Sequence, residues 1–344
     1  MLTHVAREVR RLAADRLLRG SLPRTLDGVD ERLLSSLLGR TVTSIERLDG
    51  TEGTTDRVRL ALTGDGLPAS VFVKTASHAA GNRLFGGLAS LGETEVRFYR
   101  TVRPSLPVEA PTAYAVSFDP STGRFLLVLE DLAARGARFA DTLTPLTVDE
   151  AAAALTTLAG VHAVAPPPWA LRNSDDPMLP AITRALGPLS RKVDPALQPE
   201  SAAWVLRDYR QVARALDQGP LTLLHGDPHP GNLYFVDDGI GLLDWQVVRR
   251  GRAIRDVTYL LVLGLTPEDR AAHERDLLAH YTASDVWDDY RRFVSYVYVA
   301  TTFTSGLGGL QGDAIADEGL RRAVRAFEEL ETLSALAAVG LHGH

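Results

Sequence analysis

Between Leu223 and Trp245 the chain reads "LLHGDPHPGNLYF" and closes on "GLLDWQ", which places His225, Asp227, Asn232 and Asp244 in one short stretch. Asp227 and Asn232 are five residues apart across a loop with two prolines and a glycine. Asp244 follows twelve residues later, after a hairpin that can bring it back beside them. Two carboxylates and an amide at one point make an oxygen-rich site. Hard Mg2+ prefers such ligands, with water and substrate phosphate completing its octahedron. The plainer alternative is a shaped loop, since Asp-Pro and Pro-Gly-Asn are ordinary turn formers. A second signal comes from composition: of 37 basic residues only Lys74 and Lys192 are lysine. A compact ammonium is not interchangeable with the broad fork of arginine, so each lysine merits inspection.

These residues need elements to position them. Leu2, Val5, Val9, Leu12 and Leu17 or Leu18 recur at helical spacing over residues 1–20, and a short helix follows at 30–38. The texture then becomes short, alternating and β-branched in "VTSIERL", "RVRLALTG" and "SVFVKTA". Glycines at 50–53 and 64–68 mark the turns between these strands. Glu93 to Arg103 returns to helix, and "PTAYAVSFD" and "RFLLVLEDL" add two strands. After Asp131 the pattern is helical: Val148 to Ala163, a proline-rich loop at 166–200, and a helix at 201–217. "LYFVDD" and "GIGLLDW" form a hairpin around an Asp-Asp-Gly turn at 237–239. Helices fill most of the rest. The expected architecture is α+β, with an antiparallel five-stranded N-lobe over 1–130 and a mainly helical C-lobe over 131–344.

The length of 344 residues suits two domains. Hydrophobic residues make 45% and charged residues 23%, which excludes a disordered or collagen-like chain. The net charge of -6 speaks against nucleic-acid binding. Cysteine is absent, so disulfides, thiolate metal sites and a cysteine nucleophile are excluded. Five arginines between 7 and 19 leave no signal-peptide core. The longest apolar run, Val257–Leu265, is far below the ~20 residues of a membrane span. A cytoplasmic protein that binds neither membrane nor nucleic acid is the expectation.

His-x-Asp-x-x-x-x-Asn followed by a strand-borne Asp resembles the catalytic loop and metal-binding Asp of the protein-kinase-like superfamily. The wording "HGDPHPGN … LLDWQ" is most similar to its aminoglycoside phosphotransferase and choline/ecdysteroid-kinase-like branch. The resemblance spans about Ile45 to Tyr259. It implies a bilobal protein-kinase-like fold and an enzyme that moves the γ-phosphate of ATP or GTP to a hydroxyl of a small metabolite or antibiotic. An antibiotic-resistance role belongs to that range. Lys74 in "VFVKTA" matches the phosphate-binding lysine. Its partner on "GETEVRFYRTV" is Glu95, which shares a helical stripe with Tyr99 and Val102; Glu93 is the fallback. Gly50, Thr51, Gly53, Thr54 and Thr55 would form the phosphate loop, and Glu130 to Leu132 the hinge that meets the base.

By the same resemblance Asn232 and Asp244 would hold Mg2+, and Asp227 would orient the acceptor hydroxyl and receive its proton. His229 sits where it would touch the transferring phosphoryl. His225 reads as structural, His162 as a packed helix residue, Asp256 as a helix anchor, and Arg249, Arg250 and Arg252 as surface charges. The family places its acceptor among the C-terminal helices, where Trp287, Tyr290, Tyr296 and Phe303 either wall a pocket or pack a core. No charge occurs from Phe293 to Leu310, which favours a neutral or weakly charged acceptor over a polycation. Two other readings stand beside this one. A protein kinase would show Ala-Pro-Glu after "LLDWQ", and none follows. A non-catalytic kinase-shaped protein usually lacks the lysine, the catalytic Asp or the metal Asp, and all are present. ATP versus GTP and the oligomeric state stay open.

Overall fold

Period-two alternation in the first third of the chain builds a sheet with two unlike faces. The computed structural model describes residues 2–17, 20–237, 239–309 and 312–343. Leu18, Asp238 and Leu310, used in the sequence reading, lie outside them. Helices α1 (Leu2–Leu17) and α2 (Glu31–Leu38) come first. Strands β1 (Ser44–Thr51), β2 (Thr55–Thr63) and β3 (Ser70–Ala76) precede helices α3 (Ala80–Leu88) and α4 (Leu91–Thr101). Strands β4 (Ala113–Phe118) and β5 (Phe125–Glu130) complete an antiparallel sheet in the order β1-β2-β3-β5-β4. On one face Val58, Leu60, Leu62, Val71, Val73, Leu126 and Val128 pack against Leu34 of α2. The opposite face carries Arg57, Lys74 and Leu127 side by side in register.

This sheet and its helices form the first of two compact units: the chain up to Ser105, Ala110–Arg138, and the returning segment Leu243–Val247. The sequence places the change of texture at Glu130–Leu132; the unit runs on to Arg138 and takes back the segment with Asp244. Helix α3 escapes sequence reading because Gly81, Gly86 and Gly87 depress its propensity. Tertiary contacts hold it: Arg83 donates to Ser77 O at 2.9 Å and pairs with Asp15 at 3.4 Å. Asp15, on α1, also meets Arg124 at 2.7 Å and Arg24 at 3.0 Å. Burial pushes its carboxyl up, and these guanidinium groups outweigh burial and hold it below the usual range.

The second unit comprises Leu106–Glu109, Phe139–Leu242 and the chain from Val248 onward. After β6 (Arg138–Phe139) come α5 (Val148–His162), α6 (Leu179–Ser190), α7 (Ala203–Arg207) and α8 (Tyr209–Leu216). Helix α6 stands where the prolines predict a loop. Pro180 sits in its first turn, where a missing N–H costs nothing, and Pro188 falls near its end. Strand β7 (Thr222–Leu224) leads into the Asp227 loop, and β8 (Leu233–Val236) pairs with β9 (Gly239–Leu242) as a hairpin. Then follow β10 (Arg249–Gly251), paired with β7, and helices α9 (Ile254–Gly264), α10 (Pro267–Tyr281), α11 (Trp287–Leu307), α12 (Asp313–Glu329) and α13 (Thr332–Ala337). Every residue of α9 is buried. No helix among the described residues is long and apolar enough to cross a membrane.

Candidate active site

In the first unit, Lys74 is 3% exposed and its Nζ lies 2.7 Å from Glu95 Oε2 and 2.7 Å from Asp244 Oδ1. Glu93 faces elsewhere and pairs with Arg97 at 2.6 Å and Arg11 at 3.4 Å. Burial pushes the Glu95 carboxyl upward, with Lys74 opposing and the nearby Asp244 charge reinforcing the rise. Asp244 holds a left-handed backbone at φ 64. That region is sparsely used by residues other than glycine, and Asp enters it more readily than most. The next residue, Trp245, stacks on Phe98 with ring centroids 4.0 Å apart and planes 6° from parallel. Phe98 lies three positions after Glu95 on α4, so one helix fixes both the lysine's partner and the segment bearing Asp244.

Arg57 is a residue the sequence reading missed. It sits opposite Lys74 on β2, with Nη2 3.6 Å from Asp244 Oδ2 and Nε donating to Thr55 Oγ1 at 3.2 Å. Like charges facing each other across strands repel. Two acids, Glu95 and Asp244, hold these two cations together here. The signal in the sequence was alternation on β2, but the register that sets Arg57 against Lys74 cannot be read from one strand.

The predicted phosphate loop is split by the structure. Gly50 and Thr51 end β1, Thr55 opens β2, and the turn is residues 52–54. Gly53 O accepts from Asn82 Nδ2 at 2.9 Å, which ties the turn containing Thr54 to α3. At the hinge the Glu130 carboxylate accepts from Thr112 N at 3.1 Å. Asp131 binds Arg59 at 2.9 and 3.0 Å and accepts from Ser70 at 2.6 Å. The Leu132 carbonyl accepts from Arg135 N at 3.1 Å and Ala137 N at 3.0 Å.

In the second unit the Asp227 loop is held by backbone bonds to one buried acid. Asp256 is wholly buried, and its Oδ2 accepts from His225 N at 2.7 Å and Gly226 N at 3.3 Å. Gly226 has φ 92, a conformation that requires glycine between His225 and Asp227. Asp256 also meets His162 Nε2 at 3.4 Å, and His162 Nδ1 bonds Tyr281 Oη at 2.7 Å. Burial pushes the Asp256 carboxyl up, but His162 beside it, with Arg255, holds it below the usual range. Asp256 therefore anchors the loop rather than only its own helix, and His162 is part of that anchor.

Asn232 Nδ2 donates to Asp227 O at 2.8 Å and stands 3.4 Å from Asp227 Oδ2. With its amino group so used, the amide turns its oxygen away as the atom suited to a hard cation. His229 Nδ1 accepts from Gly231 N at 3.1 Å, which assigns the ring proton to Nε2, 3.7 Å from Asp227 Oδ2. Tyr259, on α9, was also missed: its phenol lies within electrostatic reach of the Asp227 carboxylate. Burial and the Asp227 charge hold the Tyr259 phenol well above its ordinary value, so it stays protonated.

The four aromatic candidates separate. Tyr290 is fully buried and donates to Glu274 at 3.0 Å, so it is a core residue and not a pocket wall. Trp287 is half-buried, its ring 5.8 Å from that of Tyr290 and covered by Arg275 at 3.7 Å. Phe303 is half-buried toward the end of α11. Tyr296 is the one that reaches the loop, with Oη 3.5 Å from Gly226 O and its ring 5.7 Å from that of Tyr259. Arg249 is not a surface charge, since it is 11% exposed and pairs with Asp176 at 2.8 Å.

Lys74→Arg is expected to lower kcat/KM for nucleotide by roughly 10–100-fold, the worth of one charged hydrogen bond, although charge is kept. Steady-state kinetics checks this, and an active Lys74→Arg beside an inactive Lys192→Ala would assign the role to Lys192.

A sheet with a buried lysine clasped by two acids, and a helical unit presenting an aspartate on a rigid loop, define a kinase-like phosphotransferase fold. The chain belongs to the phosphotransferase enzyme family, whose model matches residues 52–293. No curated protein matches the sequence. Among solved structures it is similar to a choline/ethanolamine kinase family protein from Mesorhizobium loti, 17% identical over 98% of this chain and 99% of that one, with TM-score 0.55. A thermostable mutant of aminoglycoside phosphotransferase APH(4)-Ia, in ternary complex with AMP-PNP and hygromycin B, is 14% identical over 86% and 98%, with TM-score 0.52. The choline kinase LicA from Streptococcus pneumoniae, in complex with AMP, is 17% identical over 88% and 96%, with TM-score 0.50. At such identities the likeness establishes the fold.

Proposed function

We propose that the chain transfers the γ-phosphoryl group of ATP or GTP to a hydroxyl of a small molecule. The observation that carries this is Lys74, buried between Glu95 and Asp244 at 2.7 Å each. An ammonium so placed is positioned for the inner phosphates, with Arg57 as a second cation. The Leu132 amide, which has no hydrogen-bond partner among the described residues, would meet the base at the hinge, beside Glu130. Gly50 to Thr55 would cover the phosphates.

In the transfer, Asp227 orients the acceptor hydroxyl and takes its proton as the oxygen bonds to phosphorus and the bond to the leaving nucleoside diphosphate breaks. Asn232 Nδ2 steadies the carboxylate for this, and His229 Nε2–H donates toward the moving phosphoryl. A loose transition state asks for positioning more than for a strong base. Among the described residues no group of three or more His, Cys, Asp or Glu could hold a metal. Asp244, through its carboxylate, and Asn232, through its amide oxygen, would hold Mg2+, a hard ion that takes such donors when phosphate and water supply the rest. That ion would neutralise phosphate charge. Asp244→Asn keeps the left-handed backbone while removing the charge, and is expected to weaken nucleotide binding in Mg2+ about tenfold or more. Calorimetric titration with and without Mg2+ checks this; equal affinities in all four combinations would remove Asp244 from the metal.

The acceptor reading disfavours polycations. Acids of the C-terminal helices already carry arginines: Asp289 meets Arg252 and Arg292, Glu318 meets Arg321 and Arg322, and Glu329 meets Arg270 and Arg325. A neutral or weakly charged alcohol, antibiotics of that kind included, fits better than an aminoglycoside.

A further inference from the structure

Four arginines among the described residues are buried: Arg124, Arg255, Arg270 and Arg322. Arg124 meets Asp15, Arg270 meets Glu274 and Glu329, and Arg322 meets Glu318. Arg255 meets no carboxylate. It is 6% exposed in the first turn of α9, and its Nη2 donates to Tyr296 Oη at 2.5 Å. The guanidinium carbon lies 4.1 Å from the centre of the Tyr296 ring. Its Nε is buried with no hydrogen-bond partner. The adjacent Asp256 lends charge at a distance, but its oxygens serve His162 and the His225 and Gly226 amides.

A buried cation without a counter-ion costs far more than a surface charge. The position of this one is informative. Tyr259 is one turn further along α9, on the same side, and its phenol lies within electrostatic reach of Asp227. Tyr296, which holds Arg255, reaches Gly226 O beside Asp227. Tyr209, whose hydroxyl accepts from Asn173 at 2.8 Å, adds a third phenol within electrostatic reach. The guanidinium is thus tied through Tyr296 to the loop that carries the candidate base, with its Nε unpartnered.

We propose that Arg255 recognises a carboxylate on the acceptor, so that the substrate class is a small hydroxy acid whose hydroxyl lies at Asp227. The guanidinium fork matches a carboxylate in plane and in charge, and the desolvated setting makes the pairing strong. The phenols supply donors for the acid's second oxygen and for a neighbouring hydroxyl. A polycation is rejected by the same charge. This rests on Asp227 being the acceptor-side base, and it is tested by binding so that the two can fail separately.

The probes are glycolate, glycerate, homoserine and gluconate, each beside its own primary amide, with the full chain and Mg2+·AMP-PNP. Saturation-transfer NMR and competition titrations are expected to show the acids bound at least about tenfold tighter than their amides. Arg255→Gln is expected to bring each pair to parity, Arg255→Lys to keep part of the preference, and Tyr296→Phe to keep most of it. Nucleotide affinity is expected to be unchanged throughout. The acid–amide comparison on the wild-type chain needs no variant to fold. Equal binding of acids and amides, binding of neither, or an acid preference that survives in Arg255→Gln overturns the proposal. Asp227→Asn is expected to keep the acid preference; if it also kept transfer, the base assignment would fall while the Arg255 result stood.

Discussion

Asp227→Asn is expected to lower phosphoryl transfer by roughly 10²–10⁴-fold while nucleotide affinity stays at the wild-type value. The amide nearly matches the carboxylate in size, and the loop is fixed from behind through His225 N and Gly226 N, so the geometry survives. In the proposed role, what is lost is the atom that would accept the hydroxyl proton and the charge that would orient it. Product formation and nucleotide titration, measured on the same preparation, separate the two. A variant with near wild-type turnover would remove Asp227 from the role of base.

Asp256→Ala is expected to remove about 3–5 kcal/mol from the unfolding free energy of the second unit, the range for breaking a buried charge pair. Two amides lose their acceptor, and a buried histidine loses its partner at 3.4 Å. The carboxyl is held below the ordinary carboxylate range, so the stabilisation is present above that range and is lost as pH falls through the depressed folded value. Urea titrations at neutral pH and at pH about 3 check both the size and the sign. A loss under about 1 kcal/mol would mean that water takes over the two amides.

Much of this site is legible in the sequence because the chemistry is local there. His225 to Asn232 is a contiguous loop, and its spacing survives any error in placing strands. Five strands and α4 are legible too, because their alternation and periodicity are clean. Glycines hide α3 and prolines hide α6, both of which rest on tertiary contacts that a local window does not contain. Arg57, Tyr259 and Arg255 are hidden for another reason. Each matters through a neighbour distant in sequence: Lys74 across a strand pair, Asp227 across 32 positions, Tyr296 across 41. The aromatic cluster on α11 shows the converse. Composition marks Trp287, Tyr290 and Tyr296 alike, and only helical phase decides that Tyr290 turns to Glu274 while Tyr296 turns to the loop.

The left-handed backbone at Asp244 narrows what mutation can do there without disturbing the turn. Most side chains raise the energy of that conformation by about 1–2 kcal/mol, whereas Asn and Gly enter it readily. Drift that preserves the fold is thereby channelled toward three residue types, of which one has a carboxylate. A descendant with Asn or Gly at this position would keep the turn, the Trp245 stack and the outline of the whole unit. Its backbone would superimpose on that of an active relative while the charge was gone. Loss of activity at this position would leave no trace in shape, and only the identity of one side chain would separate an enzyme from its inert copy.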